Sequence, residues 1–348
     1  IVDLIADATN GPAEVVSPIL RRMRLAIGAV LVLFVPLGLL GQPAPLFDHI
    51  STADGLPGDE VYSVFEDRLG FIWAGTGNGL ARMEGTRVRL FHHDRNDSTS
   101  LAHDQVNWLT EDDQGRLWMA TMAGLSRYDP VRGNFTSYRV AATGNAVHLA
   151  NRMLQVLCVG DTLIWVVSEH GLYRFDPRSC AFHEMNEERS GEAPPGKVRV
   201  HGALLWDAHR NGMWAASMKG LSFWDVTTDH WTDHRNAGEQ QPWFDDRFIS
   251  SPTLQGRDTL WCFDERGFAL LGWHLPTGSH TVLDSLLGSR NDFTMQWQDV
   301  DPDGRHWVSV WTHRLFYRDP GSPWREAVPS FIVPAALRSG PVTATMRS

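Results

Sequence analysis

Residues 73–80 read WAGTGNGL, and this pattern of a tryptophan, a short apolar run and a glycine before Leu or Phe returns along the chain. The other copies are WMATMAGL at 118–125, WVVSEHGL at 165–172, WAASMKGL at 214–221, WCFDERGF at 261–268 and, more loosely, WVSVWTHRL at 307–315. Successive tryptophans are separated by 45, 47, 49, 47 and 46 positions. Self-similarity at such a spacing indicates a repeat architecture.

Each repeat reads as four short strands separated by turns. In the second repeat the apolar or alternating runs are residues 106–109, 117–121, 125–128 and 135–138. Asp-x-Gly pieces fall between the first two strands, where a hairpin turn needs a positive φ that Asp and Gly adopt at little steric cost. We expect the same role for the glycines that recur just before the third strand: Gly79, Gly124, Gly171, Gly220 and Gly267.

Four-stranded repeats of about 40 to 50 residues arranged radially make a β-propeller, which leaves only short and protected sheet edges. The sequence therefore predicts an all-β fold, a β-propeller of four-stranded blades with six repeats visible, which is either six-bladed or a truncated seven-bladed ring. An array of β-sandwiches is excluded, because one sandwich needs about 100 residues. The repeated tryptophans are expected to fill the wedges between neighbouring sheets. They are Trp73, Trp118, Trp165, Trp214, Trp261 and Trp307.

The propeller is predicted to span residues 45–330. Residues 47–50 precede the first complete repeat and resemble residues 134–138 at the outer edge of the second blade, so we expect them to complete the last blade. Residues 331–348 are expected to form a tail or to begin a further blade.

The N-terminal residues are predicted to lie outside the propeller. In residues 23–44 an apolar run follows a cluster of arginines and ends in GQPA, which is typical of a secretory signal peptide. A retained N-terminal anchor is the alternative, although the run is shorter than the roughly 20 residues of a spanning helix. Residues 1–22 carry no initiator Met and are interpreted as upstream or mis-started sequence. The expected location is therefore periplasmic or extracytoplasmic.

Charge and cysteine content exclude several classes of protein. The 348 residues include 31 Lys and Arg against 41 Asp and Glu, which gives a net charge of −10 at pH 7. A nucleic-acid partner, which needs a broad basic surface, is therefore not expected. Three cysteines are too few for a disulfide scaffold, and their spacing matches no zinc site. No cofactor is expected.

Several stretches resemble the two-component regulator propeller repeat. They are DGLPGDEVYSVFEDRLGFIWAGT at 54–76, NGL at 78–80, DSTSL at 97–101 and residues 106–121. The similarity is close over residues 47–138, weaker to residue 221 and limited to the Trp and Gly pattern after that.

The resemblance implies the periplasmic sensor half of a bacterial histidine kinase or hybrid two-component system. Members of that family carry propellers, a β-sandwich, a membrane helix and a kinase or DNA-binding output domain. No ATP-lid segment and no phospho-acceptor histidine context can be read in this sequence, so we expect no enzyme activity from this chain. The signalling domain is then expected in sequence beyond this chain or in a partner chain, and a homodimer is a further expected assembly.

Loops between the second and third strands of propeller blades converge at one mouth of the central channel. The residues at the tips of these loops differ from repeat to repeat, whereas the Trp and Gly positions are constant. A constant scaffold with variable loop tips is suited to ligand recognition. Charged groups beside a tryptophan favour a polar, carbohydrate-like ligand, either a small molecule or an oligosaccharide. The candidate ligand-binding residues are Asn78, Glu169, His170, Lys219, Glu265, Arg266, Trp311 and His313.

No catalytic constellation stands out in the sequence. Ser and His are plentiful, but no Gly-x-Ser-x-Gly elbow is present. Residues 92–94 read HHD without the helical i, i+4 spacing of a zinc motif, so no metal site is assigned. Four carboxylates recur at one turn of the blade and are interpreted as turn formers: Glu66, Asp67, Glu111 and Asp112.

Two other functions remain open at this point. A propeller enzyme resembling the streptogramin lyases would concentrate histidines and acidic groups with shifted pKa values at one mouth. A secreted protein-binding propeller would expose aromatic patches on its rim. The Asp-Gly-Leu-Pro and Thr-Ser-Leu segments favour the sensor, because they match the sensor repeat beyond the common blade pattern.

Overall fold

The computed structural model describes residues 50–85, 87–141, 146–185, 203–217, 220–233, 247–265, 269–283, 295–310 and 314–326. All of them belong to one compact unit, Asp48–Ser348. The predicted segments 1–22, 23–44 and 331–348 lie outside the described residues. Within the described ranges, no helix has the length and hydrophobicity that crossing a membrane requires.

The described strands form six antiparallel sheets of four strands each, and the strands of every sheet are adjacent in chain order. This arrangement confirms the predicted all-β fold and makes it a six-bladed propeller. The first three blades are β1 (Val61–Glu66), β2 (Ile72–Thr76), β3 (Gly79–Glu84) and β4 (Arg87–Phe91); β5 (Val106–Glu111), β6 (Leu117–Thr121), β7 (Gly124–Asp129) and β8 (Asn134–Tyr138); β9 (Met153–Val159), β10 (Leu163–Ser168), β11 (Leu172–Asp176) and β12 (Ala181–Glu184).

The last three blades repeat the same order. They are β13 (Leu204–Asp207), β14 (Gly212–Ser217), β15 (Gly220–Asp225) and β16 (His230–Asp233); β17 (Ile249–Gln255), β18 (Thr259–Asp264), β19 (Ala269–His274) and β20 (Ser279–Leu283); β21 (Met295–Val300), β22 (His306–Val310), β23 (Arg314–Arg318) and β24 (Arg325–Glu326). Helical structure in the described part is limited to a 3₁₀ turn at Thr52–Asp54 and to α1 (Ala146–Asn151).

The outer strand of the sixth sheet is β24, which pairs with β23. We predicted that residues 47–50 would form this outer strand. Of these, residues 47–49 lie outside the described residues, and Ile50 belongs to no strand. The described part of the sixth blade is therefore built from consecutive segments, as the other five blades are.

The first strand of each blade contacts the first strand of the next, from β1 to β5 and onward to β21. Buried polar side chains link these inner strands. The amide of Asn107 donates to Met153 O at 2.7 Å, and Gln155 exchanges two hydrogen bonds with the backbone of Leu204 at 2.8 and 2.9 Å. Such bonds connect neighbouring blades through backbone groups that would otherwise be buried without partners.

The repeated tryptophan is joined to the preceding turn by a side-chain hydrogen bond. Trp118 Nε1 donates to Asp112 Oδ2 at 2.8 Å, while Asp112 Oδ1 accepts the backbone N–H groups of Gln114 and Arg116. Equivalent bonds join Trp73 to Asp67 (2.8 Å), Trp214 to Asp207 (3.1 Å), Trp307 to Asp301 (3.0 Å) and Trp261 to Gln255 (3.0 Å). Asp67 and Asp112 are thus turn formers, as predicted, and they also satisfy a buried indole.

The same tryptophans pack against an aromatic ring of the next blade. The ring centroids are 5.1 Å apart for Trp73 and Tyr128, 5.8 Å for Trp118 and Phe175, 5.0 Å for Trp165 and Trp224, and 5.7 Å for Trp214 and Trp273. In the sixth blade Arg318 takes the corresponding position, with its guanidinium 4.8 Å from the Trp261 ring centroid. These contacts confirm that five of the six tryptophans fill the wedges between blades, whereas Trp307 contacts Tyr317 of its own blade and is only partly buried.

The glycines before the third strand follow the prediction with one exception. Gly79, Gly124 and Gly220 have φ values of 131°, 127° and 111°, and a Cβ on Gly124 would lie 2.5 Å from Tyr138 O. The prediction is wrong at Gly171, whose φ is not positive. That turn is closed instead by Ser168, whose Oγ accepts the N–H groups of residues 170 and 171. Gly267 lies outside the described residues.

We expect the substitution Asp112→Ala to destabilise the protein by about 3–5 kcal/mol, because it leaves the Trp118 N–H, two backbone N–H groups and the Arg116 guanidinium without their acceptor. The adjacent Asp113 is exposed and serves as the matched control, for which Asp113→Ala should change stability by less than about 0.5 kcal/mol. Urea unfolding of both variants measures the difference. Equal midpoints would contradict the structural role given to the Trp–Asp bond.

Stability should fall in mild acid because of His306. Burial, with a contribution from Arg318, lowers the pKa of His306 to about 3, against about 6.5 in the unfolded chain. The unfolded state therefore binds the additional proton, so that this stability is complete above pH 6.5 and is lost as the pH falls toward 3. The expected slope is up to about 1.4 kcal/mol per pH unit.

The variant His306→Leu removes this titration. Leu117 and Leu260 occupy the register positions that correspond to His306 in other blades, so a leucine suits the site. Urea unfolding between pH 7.5 and 5 should show a shallower pH dependence for His306→Leu than for the parent chain. Exposed His209 provides the control, because His209→Gln should leave the slope unchanged. Identical slopes for the parent and His306→Leu would refute the assignment.

Candidate ligand-binding face

The loops between second and third strands lie at the same end of each blade as the segments that lead into the first strands. In four blades the first residue of this loop donates its N–H to the carbonyl oxygen just before the first strand. These bonds are Gly77 to Glu60 (3.0 Å), Met122 to Gln105 (3.3 Å), Glu169 to Arg152 (3.0 Å) and Glu265 to Phe248 (2.8 Å). We name this end of the propeller, formed by these loops and the residues that precede the first strands, the loop face.

The inner strands are irregular where they meet the loop face. The ladder between the first and second strands shifts register near the start of the inner strand in blades 1, 2, 3, 5 and 6. Each shift adds a residue to the inner strand, as at Tyr62 between Val61 and Ser63. Bulges of this kind redirect a side chain and concentrate beside binding sites.

In the first blade the loop face carries Tyr62, Glu60 and Asn78. The Tyr62 hydroxyl donates to Glu60 Oε2 at 2.8 Å. Burial, the hydrogen bond to Glu60 and its negative charge raise the pKa of Tyr62 to about 12. Exposed Asn78 donates from Nδ2 to Pro57 O at 2.9 Å, which fixes the tip of the loop.

Histidines cluster where the first blade meets the second. His93 Nδ1 donates to Leu101 O at 2.6 Å, and His92 Nδ1 lies 3.7 Å from Asp104 Oδ1. His103 Nδ1 accepts the backbone N–H of Gln105 at 2.9 Å, which leaves Nε2 as its protonated nitrogen. Burial lowers the pKa of His103 against the opposing charge of Asp104, so the ring is neutral at pH 7.

The third blade presents an Arg–Glu ion pair and a His–Glu contact on the loop face. Arg152 Nε lies 2.8 Å from Glu169 Oε1, and His170 Nε2 lies 3.2 Å from Glu184 Oε1. All four side chains are partly exposed. Exposed pairs of this type contribute little to stability, so a ligand can exchange its own hydrogen bonds for theirs at small cost.

In the fifth blade a partly buried carboxylate points to the same face. Ser250 Oγ donates to Glu265 Oε1, and Arg247 pairs with the neighbouring Asp264. Burial raises the pKa of Glu265, the hydrogen bond from Ser250 opposes that shift, and the charge of Asp264 adds to it. Glu265 therefore loses its proton less readily in the folded protein than in the unfolded chain.

Four predicted ligand residues lie on the loop face: Asn78, Glu169, His170 and Glu265. The other four predicted residues, Lys219, Arg266, Trp311 and His313, lie outside the described residues. Sequence reasoning missed His103, Asp104 and Arg152, which lie just before first strands. In the first two repeats the segment before the first strand recurs, as GLPGDEV at 55–61 and SLAHDQV at 100–106, and this recurrence was the available signal.

The histidine-rich segment gives no indication of a metal centre. Within the ranges that the structure describes, no group of three or more His, Cys, Asp or Glu side chains could hold a metal ion. His92 and His93 instead both bind Asp104 or backbone groups.

Comparison with known proteins supports the class that the repeats indicate. The model of the two component regulator propeller matches residues 55–78 and 100–123. A histidine kinase, P4 of Formosa agariphila, is 28% identical over 74 residues, which are 21% of this chain and 5% of that protein. The chain therefore contains two-component regulator propeller repeats, as its sequence indicates.

Solved structures share the fold at low sequence identity. The extracellular domains of two proteins assigned as hybrid two-component systems of B. thetaiotaomicron superpose with TM-scores of 0.62 and 0.58 at 17% identity; they cover 80% and 77% of this chain, which spans 36% of each. A streptogramin B lyase superposes with a TM-score of 0.56 at 12% identity, over 78% of this chain and 84% of the lyase. At these low sequence identities, the similarity shows only that the fold is shared.

The substitution Glu265→Gln should raise the urea midpoint at pH 7. Because the folded-state pKa of Glu265 lies above its unfolded value, its neutral form stabilises the fold, and that contribution is lost as the pH rises through the folded pKa. The advantage of the variant should therefore shrink as the pH falls to about 4. Exposed Glu66 provides the control, since Glu66→Gln should not shift the midpoint. A lower midpoint for Glu265→Gln at pH 7 would reverse the interpretation.

Proposed function

We propose that this chain is the ligand-sensing propeller of an extracytoplasmic two-component sensor and that its loop face recognises a polar, carbohydrate-like ligand. The observation that carries the proposal is the difference between the two ends of the blades. The turn between first and second strands repeats an acceptor for the tryptophan in five blades, whereas the loop face presents different polar groups in blades 1, 2, 3 and 5.

The chemistry of the loop face supports a hydroxyl-rich ligand. Glu169 and His170 in the third blade and Asn78 in the first offer both acceptors and donors, and hydroxyl groups of a sugar both donate and accept hydrogen bonds. The positions of Arg266 and Trp311 in the equivalent loops add a cation and a ring face for stacking on sugar C–H groups. An oligosaccharide would be long enough to contact several blades at once.

A ligand that contacts several blades can change how those blades pack, and such a change can act as a signal. Neighbouring blades meet through inner-strand hydrogen bonds such as Asn107 to Met153 and Gln155 to Leu204, so occupancy of the loop face biases how the blades pack. The chain spans about a third of the length of the sensor ectodomains that it resembles. We assign the output step to a domain beyond this chain or in a partner chain, and export to a signal peptide or anchor within residues 23–44.

The two alternative functions have weaker support. The lyase likeness is one of fold, and the loop-face groups with shifted pKa values, Tyr62, His103 and Glu265, lie on three different blades. An enzyme would need them in one constellation. A protein-binding rim would need a contiguous apolar patch. Among the described residues, the large exposed apolar side chains belong to different strands, turns, loops and the helix α1: Ile50, Leu69, Leu90, Val131, Leu149 and Val282.

Calorimetric titration of the full chain with cellotetraose, tetragalacturonate and a chitosan tetramer tests the proposal. We expect one of these neutral, acidic and basic oligosaccharides to bind. The triple variant His170→Ala, Arg266→Ala, Trp311→Ala should then lose at least about tenfold in affinity, which is the effect of removing one or two good contacts.

The matched control carries three substitutions in turns at the opposite ends of the blades: Arg132→Ala, His209→Ala and Arg257→Ala. This control removes two arginines and one histidine from exposed or partly exposed turns and should bind as the parent does. Absence of binding to all three oligosaccharides argues against carbohydrate recognition. Binding that both triple variants retain argues against the loop face.

A further inference from the structure

A cavity of about 880 Å³ opens between the third and fourth blades, and its lining includes Glu184, which contacts His170 of the loop face. It lies between the outer strands β11 and β12 of one blade and β15 and β16 of the next. Its aromatic lining comes from both blades and consists of Trp165, Phe175, Phe182, Trp224 and Trp231. The volume lies within the range of about 300–1,000 Å³ that is typical of small-molecule sites.

Two indole N–H groups in this lining have no hydrogen-bond partner. Trp165 and Trp231 are 1% and 5% exposed, and Nε1 of each is buried without an acceptor. In the other five blades the tryptophan equivalent to Trp165 donates to an Asp or Gln six or seven residues earlier, but the third blade has Val159 there. An unpaired buried N–H costs on the order of 1–3 kcal/mol. A ligand acceptor would recover that free energy.

The charged groups at the rim of the cavity differ in how they are paired. Asp229 accepts from Trp224 Nε1 at 3.2 Å and pairs with Arg174 at 3.3 Å, Asp176 accepts from Ser179 Oγ, and Glu184 pairs with His170. In the part of the chain that the structure describes, the side chains of Arg178 and His183 make no hydrogen bond or ion pair. Both are exposed at the rim.

Most of the unused polar groups of this cavity can donate: two indole N–H groups, a guanidinium and one nitrogen of an imidazole, whose other nitrogen accepts when the ring is neutral. The carboxylates, which could accept hydrogen bonds from a ligand, already have partners. A sugar brings as many hydroxyl donors as acceptors and would leave its donors poorly matched here. A carboxylate only accepts, and a flat ring complements the three tryptophans and two phenylalanines.

We propose that this cavity binds an aromatic carboxylate, with the ring among Trp165, Trp224 and Trp231 and the carboxylate toward Arg178. The site is made by two blades and shares no residue with the candidate ligand residues of the loop face. The chain would then carry two ligand sites of different chemistry, and the proposal stands whether or not the loop face binds a carbohydrate.

Titration of the full chain with 2-naphthoate, followed by calorimetry and by quenching of tryptophan fluorescence, tests the proposal. We expect saturable binding below about 1 mM. The neutral isostere 2-naphthamide should bind at least tenfold more weakly, because the amide replaces one acceptor oxygen by a donor and removes the charge. Glucuronate has a carboxylate on a non-aromatic ring and should not compete with 2-naphthoate.

Two variants place the bound molecule in the cavity. Trp231→Phe keeps an aromatic ring but removes an unpaired N–H, and Phe135 and Phe182 already occupy the same register position in blades 2 and 3. It should melt at or above the temperature of the parent chain and bind 2-naphthoate about five- to tenfold more weakly. Exposed Arg178 cannot affect folding strongly, and Arg178→Gln should weaken binding by a similar factor.

Arg132→Gln is the matched control, because Arg132 is an exposed arginine in the corresponding turn of the second blade. Its affinity for 2-naphthoate should equal that of the parent chain. The proposal is overturned by absence of binding, by equal affinity for the acid and the amide, or by displacement with glucuronate. Equal affinity in the parent, Trp231→Phe and Arg178→Gln would also overturn it, since the molecule would then bind elsewhere.

Discussion

The packing of the second-strand tryptophan between two sheets is the interaction on which the blades depend, and in five of the six blades a hydrogen bond to a preceding side chain supports it. The ring must be buried to fill the wedge between two sheets, and a buried indole needs an acceptor. In the second blade, one carboxylate oxygen of Asp112 closes the turn and the other binds Trp118. A single side chain thus shapes the hairpin and compensates for burial of the indole N–H, which explains why the acceptor lies six or seven residues before the ring in five blades.

Because the tryptophan and its acceptor lie apart from the loop face, the residues of the loop face can vary. The acceptor lies at the end of the blade opposite to the loop face, and the ring lies between the two ends. Residues such as Glu169 and Glu265 can therefore change without loss of the wedge contacts, provided that the backbone bonds to Arg152 and Phe248 persist. Those bonds involve no side chain, so they place few demands on the sequence of the loop.

The parts of the fold that depend on periodic positions could be predicted from the sequence. The spacing of Trp73 and Trp118 indicated the blades, and Gly124 indicated a turn with positive φ. His103 and Arg152 were not found in this way: the segment before the first strand recurs only in the first two repeats, and a short helix, Ala146–Asn151, precedes Arg152. The cavity was also beyond sequence reasoning, since it depends on how Trp165 and Trp231 of different blades pack.

The third blade shows the effect of losing the acceptor. In this blade Val159 occupies the position of the acceptor. Trp165 packs against Trp224 and Trp231, with ring centroids 5.0 and 5.8 Å apart, and its N–H has no hydrogen-bond partner. The wedge therefore persists without the hydrogen bond, because ring packing supplies most of its stability. The loss of one acceptor then converts a structural donor into one that a ligand can use, without any change in the fold. A repeat protein can acquire a binding site in this way at any junction between blades where ring contacts alone are sufficient.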